Sequence, residues 1–423
     1  MTNIKYNNIE WLGDIPTEWN VDQVGNYYEL RNEKVNDYDF APLSVTMKGV
    51  VPQLATAAKS NDHTNRKLVK KGDFVINSRS DRRGSCGISP LDGSVSLINT
   101  VMEPRGEMNP QYYNWLFHTE QFADEFYKWG HGIVNDLWTT RWQEMKKILI
   151  VAPELDEQQA IADYLDEKCS KIDEIIAEAK ASIDEYKELR LSVLTSVTTK
   201  GLSNDVKYKD SGSRWVDEIP SDWSKMKIHY IIDMPVIDGP HVSPKLVSEG
   251  VNYISANAIV DGKIDFNKRR GYITREYSNE CRKRYSPQKN DILVVKLGAS
   301  TGKMAMVGDF TDFDIWVPIA VVRCKKEVNA KYVYYSMSSK YFKDEIKDGW
   351  TFGTQETLGV KTLESLYIFL PSRVEQDEIV RYLDEQLPKY DSLIAEKESL
   401  INDLEAYKKS LIYEVVTGKR RVV

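Results

Sequence analysis

Histidine and cysteine are scarce, five and four in 423 residues. The cysteines, Cys86, Cys169, Cys281 and Cys324, are far apart and form no C-x-x-C pair, which argues against both a zinc site and a disulfide framework. Burial as small apolar side chains is their expected role. The histidines, His63, His118, His131, His229 and His241, offer no i, i+4 pair for a metal. Long apolar runs are also missing. The longest, residues 148–152 and 316–322, are far too short to span a bilayer, and residues 1–8 are polar, unlike a signal peptide. A cytoplasmic protein with no membrane contact is the expectation.

Catalytic signatures are equally thin. Residues 298–303, G-A-S-T-G-K, are one residue short of a phosphate loop and place Met304 where the metal-binding Ser or Thr belongs. Asn109-Pro110-Gln111-Tyr112 is one change from the N-P-P-Y pattern of amino-group methyltransferases. No Gly-rich cofactor loop follows a strand, and the matching stretch from Asn329 repeats only a helix start. No nucleophile elbow is present. The chain is expected to be no enzyme.

What the sequence does contain is a repeat. The stretch from Pro153, P-E-L-D-E-Q-Q-A-I-A-D-Y-L-D-E, returns from Pro371 as P-S-R-V-E-Q-D-E-I-V-R-Y-L-D-E, an ungapped step of 218 residues. Upstream, W-L-G-D-I-P-T-E-W from Trp11 returns as W-V-D-E-I-P-S-D-W from Trp215, a step of 204. Between these marks each half carries strand-like segments at 41–47 and 252–259 and at 71–76 and 289–294. Each also has a helix start at Asn109 or Asn329, and an apolar strand ending at Pro153 or Pro371. After each proline runs a heptad: Cys169, Ile172, Ile176, Ala179, Ile183, Tyr186, Arg190, Val193, Val197, and Leu387, Tyr390, Ile394, Lys397, Ile401, Leu404, Lys408, Leu411, Val415. That is a coiled-coil seam, interrupted by Arg190, Lys397 and Lys408, which either fix register or snorkel at the rim. The partner of each helix is the other copy or another chain; symmetry favours antiparallel pairing within the chain.

The net charge of −7 would disfavour nucleic acid, but the charge is unevenly spread. Residues 153–200 hold twelve acids against six bases, residues 263–303 eleven bases against four acids, and residues 59–83 eight against three. Local charge is the better guide. In the first half Arg79, Arg82 and Arg83 sit in the loop before Gly84; in the second Lys296, Ser300 and Lys303 occupy the matching loop, and Lys268, Arg269 and Arg270 add a basic run. Arg and Lys hold phosphates or read guanine edges, and Ser does either more weakly, so these nine are the expected DNA contacts.

The two motifs, each present twice and together spanning essentially the whole chain, resemble the specificity subunit of type I restriction-modification systems. The resemblance implies an α+β fold with two similar target-recognition domains, β-rich with helices, joined by two long helices in an antiparallel coiled coil. The expected divisions are 1–152 (first recognition domain), 153–200 (central helix), 201–214 (polar linker), 215–370 (second recognition domain) and 371–423 (C-terminal helix and tail). It further implies a non-catalytic subunit that reads a split, asymmetric target in double-stranded DNA. It would position two methyltransferase subunits that use S-adenosylmethionine and restriction subunits that use ATP with magnesium, with no cofactor of its own. The acidic helices would set the spacing of the half-sites and dock those partners. A bipartite type II system cutting on both sides of its target is the alternative. Recognition residues vary within such a family, so the nine basic-loop residues rest on the sequence alone.

Overall fold

The computed structural model describes residues 4–5, 9–56, 63–132, 138–203, 205–349, 351–352 and 356–422. Lys59 and most of the polar opening octet lie outside them. Two units emerge, and the boundary between them falls inside both long helices: Met1–Lys180 with Glu398–Val423, and Ala181–Lys397.

In the first unit, a four-stranded antiparallel sheet runs in the order Cys86–Ile88, Phe74–Asn77, Asn99–Pro104, Tyr28–Leu30. In the second, the order is Met304–Met306, Ile292–Val295, Ile319–Val322, Ile237–Asp238. The central strands, F-V-I-N and I-L-V-V, are buried at every position. They read as unbroken apolar runs because both faces are covered. One face of the first packs Phe74 on Phe117 from the following helix, ring centroids 5.0 Å apart. The other sets Val75 among Leu43, Val50, Val69, Val95 and Val101.

The helices Pro110–Phe117 and Ala330–Ser338 follow, each capped by the asparagine expected there. The Asn109 side chain accepts from the amides of Gln111 and Tyr112, and Asn329 from those of Lys331 and Tyr332. Such caps satisfy amides that the helix leaves orphaned. The strands expected near 41–47 and 252–259 also form, but in different settings. Leu43–Thr46 makes a hairpin with Gly49–Pro52, whereas Val251–Ile254 is the centre of a three-stranded sheet.

The repeated motifs turn out to be joints. Strand Leu149–Ala152 pairs with Asn20–Gln23 beside the first I-P turn, and Tyr367–Leu370 pairs with Ser224–Lys227 beside the second. The motif glutamate holds the motif tryptophan: Trp19 Nε1 donates to Glu157 at 2.8 Å and Trp223 Nε1 to Glu375 at 3.1 Å. The glutamine next to it is buried and bridges two elements. Gln158 donates to the Pro153 carbonyl and accepts from the Asn109 amide, both at 2.8 Å; Gln376 does the same with Pro371 and Asn329. A buried amide side chain must satisfy both its donor and its acceptor, and here it ties strand, helix start and N-cap together.

The long helices span Leu155–Lys200 and Arg373–Val416. Every seam position named above is buried or half-buried. Within each unit the two helical segments run antiparallel. In the first, Lys408 pairs with Asp173 at 2.6 Å and Arg421 lies 3.8 Å from Glu157. In the second, Arg190 pairs with Asp391 at 2.7 Å, and the end of one helix at Gly201 meets Glu375 near the start of the other. Asp173 and Asp391, like Arg190 and Lys408, are 218 residues apart, so two of the three charged seam positions make one repeated ion pair. Each helix ends on a left-handed glycine, Gly201 at φ +74° and Gly418 at φ +72°. A Cβ on Gly201 would stand 3.3 Å from Trp223, and one on Gly418 3.1 Å from Trp19.

The stretch 201–214 is more than a connector, since Tyr208–Asp210 pairs with Glu218–Pro220 as Ile4–Lys5 pairs with Ile15–Pro16. Its three exposed polar residues carry no alternation from which a strand could be read. Of the cysteines, Cys86 and Cys169 are buried and Cys281 and Cys324 partly so. No described helix is long and apolar enough to cross a membrane.

Candidate nucleic-acid interface

In the first unit the loop after Phe74–Asn77 opens with half-buried Arg79 and makes a 3-10 turn at Ser80–Arg82. Gly84 closes it at φ +73°. Arg82 and Arg83 are exposed. Their ion pairs, Arg82 with Asp81 at 3.7 Å and Arg83 with Asp124, lie in solvent, where such pairs contribute only about 0–1 kcal/mol and yield easily to a phosphate. The hairpin of Leu43–Thr46 and Gly49–Pro52 packs against strand Cys86–Ile88: a Cβ on Gly87 would lie 2.7 Å from the Gly49 Cα. Its tip brings exposed Met47 and Lys48 beside Gly84. Neither residue stood out in the sequence, because nothing local links that tip to the arginine loop.

Two bases from the same stretch are structural. Arg66 is buried and donates to Ser94, and Lys67 Nζ donates to the Asn99 carbonyl at 2.6 Å. Burial lowers the pKa of both.

In the second unit Lys296 is also internal. It is 7% exposed, and its Nζ lies 2.9 Å from Asp238, a carboxylate that also faces Arg284 at 3.2 Å and His241 at 3.3 Å. Burial raises the Asp238 pKa, but Lys296, His241 and Arg284 together outweigh it and hold the group below its ordinary value. Ser300 is half-buried and Lys303 exposed, on a loop closed by Gly302 at φ +88°.

Lys268 is exposed and lies 3.7 Å from Asp265. The Arg269 guanidinium sits over the Tyr272 ring, 4.3 Å from its centroid, and donates to the Phe266 carbonyl at 2.6 Å. Arg270 sits over Trp316 at 3.3 Å, with Nη2 donating to Ser243 Oγ at 3.3 Å. The other arginines nearby are paired with carboxylates: Arg275 and Arg282 with Asp312, and Arg284 with Asp238. Among the described residues no hydrogen bond or ion pair ties Ser300 or Lys303 to Lys268, Arg269 or Arg270. Asp238, by contrast, begins the 238–243 loop that reaches Arg270 through Ser243. Beside that loop is a cleft of about 390 Å³ lined by Val242, Tyr277, Cys281 and Tyr285 with Asp238, Glu280 and Asp314. Three carboxyls against the single guanidinium of Arg284, which also lines the cleft and is paired with Asp238, make it a poor seat for phosphate.

Comparison with known proteins fits this arrangement. Residues 220–406 match the family described as the type I restriction modification DNA specificity domain. The chain is 23% identical to the type I restriction enzyme MjaVIII specificity subunit of Methanocaldococcus jannaschii, over 96% of this chain and 94% of that one. It is 26% identical to the type I restriction enzyme EcoBI specificity subunit of Escherichia coli, over 65% of this chain and 59% of that one. Among solved structures, a chain from work on complex assembly and conformational transition of the type I R-M system superposes with a TM-score of 0.70 at 15% identity. The match covers 96% of this chain and 99% of that chain. The HsdS subunit from Thermoanaerobacter tengcongensis gives 0.50 at 16% identity, over 96% and 98%. Residues 220–406 thus match a type I restriction modification DNA specificity domain, and the chain as a whole is similar in sequence and in fold to type I specificity subunits.

Proposed function

We propose that this chain is the non-catalytic reader of a type I complex, each unit recognising one half of a split, asymmetric DNA target. Methyltransferase and restriction subunits, with their S-adenosylmethionine and ATP–magnesium, supply the chemistry. One observation supports the proposal: the joint and seam contacts recur in both units, while the cationic surfaces they carry do not. Under the 218-residue step Arg82 meets Ser300, and Arg83 meets Thr301. Phosphate contacts supply affinity without choice, whereas choice requires side chains that differ. Two readers with different side chains on one scaffold would select two different half-sites.

The test is co-expression of the full chain with its methyltransferase subunit, followed by mapping of methylated adenines. A split motif with unlike halves is expected. A contiguous palindrome, or no new motif, would refute the proposal.

A further inference from the structure

Arg270 differs from its neighbours. Arg275, Arg282 and Arg284 each face a carboxylate, and Arg269 donates to a backbone carbonyl. Among the described residues Arg270 makes no ion pair, and its side chain has one hydrogen bond, to Ser243, and sits over the Trp316 ring, 3.3 Å from its centroid. A guanidinium has five donors in a rigid plane, so most of its donors have no partner among the described residues.

The platform beneath it is fixed. The Arg270 amide donates to the Tyr253 carbonyl and the Trp316 amide to the Ile254 carbonyl, both at 2.9 Å, so both residues are anchored to the same core strand. Behind the tryptophan, Gly239 lies so close that a Cβ would stand 2.4 Å from the Trp316 carbonyl carbon. That contact seats the loop leading to Ser243. The backbone positions of Arg270 and Trp316 are therefore both set from one strand. The aligned place in the first unit differs: strand pairing aligns Trp316 with Ser96, and no aromatic residue occurs at 96–98.

We infer that Arg270, held over Trp316 and by Ser243, reads a guanine edge in the second half-site, an inference that rests on the DNA-reading role proposed above. Guanine presents O6 and N7 as a planar acceptor pair that matches two parallel guanidinium donors. An ammonium carries the same charge but cannot reproduce the fork. A side chain already held over a ring and by a hydrogen bond loses less freedom on binding, so the gain falls on the base that fits it.

The experiment uses the full chain with its methyltransferase subunit in three forms: wild type, Arg270→Lys and Arg270→Ala. Methylated motifs are mapped, and binding is measured to duplexes altered at each G·C pair. Both variants should become indifferent at one G·C pair of one half-site, losing roughly 5- to 150-fold discrimination there. The other half-site should be read as before, which also shows that the protein is folded. Arg270→Lys should keep the wild-type salt dependence. If Arg270→Lys restores the full motif and Arg270→Ala weakens all duplexes alike, Arg270 is a phosphate contact and the inference is wrong. It is equally wrong if the wild type reads a split motif that neither variant changes, although the proposed function then stands. A wild-type complex that selects no split motif removes both.

Discussion

Replacing Lys296 with methionine separates an anchor from a DNA contact. The sequence places this lysine among the candidate contacts, yet its Nζ is buried against Asp238 at 2.9 Å. Removing one partner of a buried pair costs about 3–5 kcal/mol, because the remaining charge is left in a poor solvent. Asp238 would keep Arg284 and His241, both largely exposed, so about 2–3 kcal/mol is the better expectation. Urea unfolding of the full chain, followed by tryptophan fluorescence, measures it. Adding Asp238→Asn should recover part of the loss, and the double-mutant cycle isolates the pair. The pH dependence has a definite sign. The Asp238 carboxyl is held below its ordinary value in the fold, so its contribution is present above the unfolded pKa and is lost as pH falls through the folded one. The lysine variant should therefore lose less stability on acidification than the wild type. Wild-type stability in Lys296→Met, together with a salt slope for duplex binding reduced by about one, would make Lys296 a phosphate contact and refute the anchor.

The first half-site offers a matching test: Arg82→Ala should weaken its recognition alone, by about 1–3 kcal/mol if a base contact is lost, as read in competition between duplexes altered in one half or the other. Equal weakening at both halves would count against independent readers. Gly418→Ala should destabilise by at least about 1–2 kcal/mol for the left-handed backbone alone. Overlap with Pro16, 2.5 Å from the new Cβ, adds to this, whereas Gly201→Ala meets a more yielding neighbour in the Glu375 side chain. Thermal unfolding compares the two, and an unchanged midpoint in both would undo the joint described for the helix ends. Burial pushes the Cys86 and Cys324 thiols up to about 12 and Cys169 up to about 11. None of the three should alkylate at pH 8 until the protein is denatured, because the thiolate is the reactive form. Rapid native labelling of Cys86, detected by mass spectrometry, would contradict its burial.

Much of the framework was legible because it is written twice. The 218-residue step located the central strands and both long-helix starts, and a step of 220 located the asparagine caps. The heptad located a seam whose positions are all buried or half-buried. Composition alone could not say which bases face outward. Arg66, Lys67 and Lys296 looked like Arg82 in the sequence, but their partners Ser94, Asn99 and Asp238 are distant in the chain. Local pattern carries no signal for such pairings. The tip at Met47 and Lys48 was missed for the same reason: it meets the arginine loop only through the hairpin's packing on Cys86–Ile88. The charged seam positions could be weighed but not decided. Asp173 and Asp391, one repeat apart, decide them for Lys408 and Arg190.

The repeated ion pairs and the unrepeated cations follow different logic. Along the seam, Lys408 with Asp173 and Arg190 with Asp391 place the same ion pair at the equivalent point of both units, as a scaffold requires. Outside that scaffold the units part ways. The first has the Leu43–Thr46 hairpin with Lys48 at its tip; the second has helix Arg275–Arg282 and the stacked Arg270. A cation held by a repeated carboxylate serves the fold, and its loss should register first as stability. A cation on an unrepeated element with no carboxylate is the kind proposed above to serve a ligand, and its loss should then register first as selectivity. Arg190 and Lys408 fall in the first group and Arg270 in the second. Lys296 belongs with the first despite its place in the loop, because burial against Asp238, rather than position in the chain, decides its role.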